Sequence, residues 1–281
     1  MKTNYTLLTL LTALLITSCN SKDPLTYLGQ EPPGLVPELF APELIKNEFR
    51  EAAAAFSPDA KEFYFRRRGG KYKKNALFVI KNIENQWVES EVTPYPGEPF
   101  VTPDGKTLFL GRKYRELTPS GWGEVKDTKS LLDNKDMGIM RLTASANGTY
   151  VFDDYKSDDV LRMSRIKNGK REAPKLLPKH INSGKWTAHP FIAADESYLI
   201  WDSERAEGHG DNDLYISFKQ EDDSWGNAIN LGDKINTEHA EAYGSISPDG
   251  KYFFFHRSYG GDNADIYWVD AKVIMDLRVK Q

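Results

Sequence analysis

Short apolar runs, each broken by a polar turn and resumed by a second apolar run, recur along most of the chain. The last copy is the clearest. Ala242 to Ile246 leads into Ser247-Pro248-Asp249-Gly250, and Tyr252-Phe253-Phe254-Phe255 follows. Asp-Gly between two apolar, aromatic-rich runs predicts a tight β-hairpin. The unit returns four times: Ser57-Pro58-Asp59-Ala60 before Phe63-Tyr64-Phe65, Thr102-Pro103-Asp104-Gly105 before Leu108-Phe109-Leu110, Ser145-Ala146-Asn147-Gly148 before Tyr150-Val151-Phe152, and Ala193-Ala194-Asp195-Glu196 before Tyr198-Leu199-Ile200-Trp201. The turns are spaced 45, 43, 48 and 54 residues apart. A period of that length predicts the blades of a β-propeller.

Each blade then has an inner strand entering the turn (52–56, 99–101, 190–192 and 242–246) and a second strand leaving it. A third strand carries an Asp-x-Tyr-like signature, at Asp213-Leu214-Tyr215 and Asp265-Ile266-Tyr267, with Asp159-Val160-Leu161 a weaker copy. Polar hairpins bearing Trp87, Trp122 and Trp225 come next. Blade two is degenerate between Arg112 and Lys126. Ile45, Ile181 and Ile235 each stand 14 residues before a turn Asp, after similar runs at 37–42, 174–178 and 228–232. In the later copies that run is the outermost strand of the preceding blade. At the N-terminus it has no preceding blade, so it is expected to complete the last one, closing the ring and removing an open sheet edge. The expectation is an all-β, five-bladed propeller over 36–281, ending in a short helix or tail at 270–278. Six blades fit only if 113–140 hides one without the turn motif.

The first 18 residues form an address rather than a part of the fold. Lys2 supplies a positive start, and Leu7 to Ile16 is apolar but too short to span a bilayer. Ile16-Thr17-Ser18-Cys19 resembles the bacterial lipobox, which implies lipidation of Cys19, the only cysteine. Residues 19–35 then read as a tether, and the protein as an outer-membrane lipoprotein of the cell envelope, its membrane face open. With one cysteine there is no intrachain disulfide and no His/Cys zinc spacing. The formal net charge of −4 argues against non-specific nucleic-acid binding, which runs on an excess of Lys and Arg. A mean hydropathy of −0.58 suits many half-buried strands.

Ser247-Pro248-Asp249-Gly250-Lys251 with its following aromatics, Asp265-Ile266-Tyr267, and Leu231-Gly232 before Ile235-Asn236-Thr237 resemble the TolB-like, WD-repeat-like propellers of bacterial envelope proteins. The resemblance spans most of 36–270. It implies the fold and leaves activity open.

The turn motif itself is structural, since Pro sets φ, Asp bonds nearby backbone and Gly takes positive φ. Chemistry is expected on the opposite rim, at positions counted from each turn Asp. Six residues before it stand Ala53, Glu98, Arg141, His189 and Tyr243; eight before, Glu51 and Glu241 recur. Seven to ten after it stand Arg66-Arg67-Arg68, Arg112-Lys113, Asp154-Tyr155-Lys156, Asp202-Ser203-Glu204-Arg205 and His256-Arg257. Arginine clusters favour carboxylate or sulfate, so the expected ligand is a uronic-acid oligosaccharide. Its chemistry would be β-elimination, as a lyase or dehydratase, with His189, Tyr243 and His256 as proton-transfer candidates. Arg66, Arg67, Arg112 and Arg257, with Glu98 and Glu241, are the binding candidates. Likeness to known sugar-cleaving propellers, such as lyases for ulvan- or pectin-type chains, is architectural only. A non-catalytic scaffold engaging other envelope proteins is the alternative, and a glycosidase using Glu98 and Glu241 a third reading. No cofactor is expected. Glu207 to Asp213 reads as a plain turn rather than a metal loop.

Overall fold

A computed structural model of the protein describes residues 27–45, 49–92, 97–132 and 136–280; the expected signal peptide and Cys19 lie outside them. Five antiparallel blades follow one another. The first is Arg50–Phe56, Glu62–Gly69, Tyr72–Ile83 and Gln86–Glu91. The second is Pro99–Val101, Thr107–Leu110 and Lys113–Thr118, with Gly121–Trp122 and Lys126–Asp127 both pairing on Lys113–Thr118. The third is Leu142–Ala144, Tyr150–Asp154, Val160–Ser164 and Lys175–Leu176; the fourth Lys185–Ile192, Tyr198–Glu204, Asp213–Phe218 and Ile229–Asn230. The fifth is Ala240–Ile246, Tyr252–Ser258, Ala264–Asp270 and, from the other end of the chain, Glu38–Leu39. Inner strands touch in sequence around the whole ring, blade five against blade one included. The described part of 113–140 supplies outer strands of blade two and the short helix Lys129–Leu132, not a sixth blade.

The closing strand pairs antiparallel with the last full strand, Glu38 opposite Trp268 and Leu39 opposite Tyr267. A parallel bridge from Arg50 to Ala264 joins blade one to the same strand. Phe40 sits at this junction, its ring 5.1 Å from Trp268, 5.0 Å from Phe254 and 4.9 Å from Phe63. After Asp270 the chain forms the short helix Lys272–Met275 and a 3-10 turn over Asp276–Lys280.

The consecutive apolar residues of the second strands are explained by burial on both faces. Successive side chains of a strand point to opposite sides. Phe63 and Phe65 therefore pack towards blade five with Phe254 and Trp268, while Tyr64 between them packs towards blade two with Val101, Leu108 and Leu110.

The turns build as their residues require. Ser57 Oγ donates to Asp59 Oδ1 at 2.6 Å, the Lys61 N–H donates to the same oxygen, and the Glu62 N–H donates to Ser57 Oγ at 2.9 Å. The pattern repeats at Thr102-Asp104 and Ser247-Asp249. Blade three differs: there the Ser145 N–H bonds Thr149 O, whereas in blade one the Ser57 N–H bonds Glu62 O. Its turn is one residue shorter, which matters for the site.

Candidate active site

Where the inner strands of blades one, four and five approach the axis, their pairing slips, between Ala52 and Ala55, Ala188 and Phe191, and Ala242 and Ser245. Inside each slip one non-glycine residue takes positive φ: Ala53 (61°), His189 (48°) and Tyr243 (59°). Such a backbone costs about 1–2 kcal/mol for an L-residue and needs holding. Buried carboxylates from the preceding blade hold two of the three. The His189 N–H donates to Asp153 Oδ2 and the Tyr243 N–H to Asp202 Oδ1, both at 3.1 Å. Asp153 Oδ1 also accepts from the N–H groups of Met140 and Arg141.

The bulges of blades four and five bring His189 and Tyr243 to Glu98, which holds the same count in blade two without a bulge. His189 Nδ1 lies 3.0 Å from both oxygens of Asp202, and Nε2 lies 3.7 Å from Glu98 Oε1. The Tyr243 ring lies over the imidazole, centroids 3.9 Å apart, and its hydroxyl donates to Glu98 Oε1 at 3.5 Å. Arg66 Nη1 donates to that same oxygen at 2.6 Å. Glu98 Oε2 is buried and has no hydrogen-bond partner among the described residues. Arg141, fully buried, lies in the field of Glu98, Asp202 and Asp153. None of its Nε, Nη1 and Nη2 atoms finds an acceptor among the described residues.

Burial disfavours charge on His189, but Asp202, Glu98 and Asp153 outweigh it and hold its pKa up at about 9, so it is an imidazolium at neutral pH. Burial, with Glu98 close by, pushes the Asp153 carboxyl above the usual carboxylate range. Burial likewise raises Tyr243, keeping the phenol protonated. Glu98, Asp153 and His189 each offer one ligand atom, all within 4.8 Å of one another. A divalent ion there would have to displace the imidazolium proton and sit beside the buried Arg141, so this donor set fits a metal poorly.

The raised His189 pKa has a consequence for stability. The gain is present in full below the ordinary value of 6.5 and is lost as pH rises through about 9. Melting temperature is expected to fall between pH 7 and 10, and the fall should shrink in Asp202→Asn. Thermal denaturation of both proteins across that range measures the difference.

Other sequence-predicted residues are placed elsewhere. His256 is buried, with Nδ1 2.8 Å from the Glu51 carbonyl and Nε2 3.1 Å from Arg50 Nη2. Nδ1 must therefore carry the hydrogen, and Nε2 accepts from Arg50. Burial and the Arg50 charge lower its pKa to about 3, so it is a neutral brace with both nitrogens engaged, not a free proton donor. Arg67 and Arg257 face away from the cluster, because each lies one residue past the axial position and so on the opposite sheet face. Arg67 pairs with Glu51 at 2.8 Å and Glu89 at 2.9 Å, its guanidinium 4.6 Å over Phe78. Arg257 repeats the arrangement with Glu241 at 2.6 Å and the Tyr267 ring at 4.7 Å. Glu241 is thereby removed from any pairing with Glu98. In blade two Gly111 replaces the axial side chain, since a Cβ there would lie 2.5 Å from Met140 O. The adjacent Arg112 is half-buried, and its carbonyl accepts from Thr128.

Arg141 and Asp202 fall at the counted positions, although neither stands among the expected catalytic or binding residues. Asp153 escapes the count, because the shorter turn of blade three moves Asp154 into the expected place. One cavity lies away from the expected rim. It has a volume of about 620 Å³ and opens among the turns, past Pro58, Pro103 and Pro248. Arg141 lies at its inner end.

Fold and site together define a five-bladed β-propeller with a buried ionisable centre on its axis. No family model matches the chain, and no curated protein does. Among solved structures it is similar to TolB from Acinetobacter baumannii, at 16% identity and TM-score 0.52, over 80% of this chain and 53% of that one. It is also similar to the catalytic domain of the Coprinopsis cinerea GH62 alpha-L-arabinofuranosidase, at 10% identity and TM-score 0.52, over 85% and 97% of the two chains. The chain spans about half the length of that TolB. At these identities the likeness establishes the fold, a TolB-like β-propeller, in agreement with the resemblance carried by the turns.

Proposed function

We propose that the protein is a lipid-anchored propeller of the cell envelope that acts on anionic, uronic-acid-containing oligosaccharides by β-elimination. The observation that carries this reading is the convergence of an imidazolium, a phenol, a carboxylate with a free oxygen and two guanidinium groups at one axial point. Elimination needs those parts. Glu98 Oε2 takes the C5 proton, the C–H electrons form the C4–C5 double bond, the C4–O bond breaks, and the departing oxygen takes a proton from His189. Arg66, already beside Glu98, stabilises the charge that develops on the substrate carboxylate.

A glycosidase is the second reading, now with Asp153 in place of Glu241, because the ligand oxygens of Glu98 and Asp153 lie within 4.8 Å, near the roughly 5–5.5 Å of retaining enzymes. The purified protein incubated with polygalacturonate and with glucuronate-containing oligosaccharides separates the two. Elimination is expected to generate the ultraviolet absorbance of an unsaturated uronate. New reducing ends without that absorbance would support hydrolysis, and neither signal on any uronate would leave the non-catalytic scaffold.

A further inference from the structure

The turn-side cavity is lined by small residues, Ala54, Ala55, Ala144 and Ser245, and by aromatics that include Phe56 and Phe100. Its charged lining residues are Arg141, at the inner end, and the turn carboxylates Asp195 and Asp249. Those two are engaged by hydroxyls of their own turns, Ser197 and Ser247. Arg141 is different, since all three guanidinium nitrogens are buried and no described residue accepts from them. Leaving a buried charged donor unmade costs more than most contacts gain, and a planar fork of donors matches a carboxylate. The carboxylates Glu98, Asp202 and Asp153 supply opposing charge around Arg141, yet none of them accepts a hydrogen bond from its guanidinium.

We propose that the turn-side cavity is the binding site for a small carboxylate-bearing sugar, which enters between the turns, lays its ring against the aromatic wall and places its carboxylate on Arg141. The substrate class rests on the elimination reading; the anion site does not. A cavity of about 620 Å³ accommodates one or two pyranose rings. Arg141, rather than the Glu98-paired Arg66, is then the principal carboxylate-binding residue, and the approach is from the rim opposite to the one the strand count suggested.

Calorimetric titration of the purified protein with digalacturonate, with neutral galactobiose as the comparison, tests this. Digalacturonate is expected to bind and galactobiose to bind at least about tenfold more weakly. Arg141→Met should weaken digalacturonate binding by about ten- to a hundredfold. Ala194→Trp, at an exposed position of the lining, should plug the cavity without touching the axial cluster and abolish binding, so the question stays decidable if the Arg141 variant does not fold. Digalacturonate bound no better than galactobiose, or bound equally by wild type and Ala194→Trp, overturns the site. Binding that depends on Arg141 without elimination of any uronate keeps the site and removes the elimination reading. Elimination that survives both substitutions unchanged does the reverse.

Discussion

Replacing His189 with Gln is expected to lower kcat for uronate elimination by about a hundredfold to ten-thousandfold, the usual contribution of a positioned general acid. The substitution keeps a polar side chain at the bulge but removes the only group in the cluster that combines an acidic proton with a pKa held at about 9. Tyr243 cannot replace it, because burial holds its proton too tightly. KM should change much less than kcat, since the acid acts on the departing oxygen and not on the bound carboxylate. Steady-state rates from the unsaturated-product absorbance give both parameters. A variant with wild-type kcat would remove His189 from the chemistry and leave it as a spacer between Asp202 and Tyr243.

The second large effect concerns stability. Arg257→Met is expected to destabilise the fold by about 3–5 kcal/mol, the cost of stranding a buried carboxylate. Glu241 is fully buried, and after the substitution only the Thr237 N–H and hydroxyl, among the described residues, would still donate to it. The double variant Arg257→Met, Glu241→Leu should recover most of the loss, because removing both partners of a buried pair is far cheaper than removing one. Urea unfolding of the three proteins measures the difference. Equal stability of the single variant and wild type would mean that the pair is solvated rather than buried. Because Glu51 and Arg67 repeat the pair in blade one, the same series there is expected to behave alike, although Glu89 makes that site more forgiving to loss of Glu51.

Blade number and ring closure were legible because both depend on strict local requirements. A two-strand turn whose backbone is bonded by a short polar side chain leaves an Asp or Asn at the same place each time. The fixed offset of Ile45, Ile181 and Ile235 betrayed a strand belonging to a sheet at the far end of the chain. Axial residues were legible for a related reason: the axial position falls at the same distance from the turn in blades two, four and five, bulged in the last two and not in the first, so Glu98, His189 and Tyr243 could be counted into one place. The count failed where its assumptions did. Dropping one residue from the blade-three turn hid Asp153 behind Asp154. Moving one residue along a strand reverses its face, which turned Arg67 and Arg257 from binding groups into buried braces. The position of the cavity was not legible at all, because it depends on how far small residues such as Ala54 and Ala144 let the inner strands open, and that is a property of the assembled ring.

Glu38–Leu39 shares a sheet with strands more than 200 residues later. The earliest-made strand must therefore wait, exposed, until the last blade has been delivered. Assembly is expected to finish in a single late step that zips the two ends of the polypeptide together. A chain arrested before residue 264 would keep four built blades and an unlatched seam, open to proteases and to pairing with neighbouring chains.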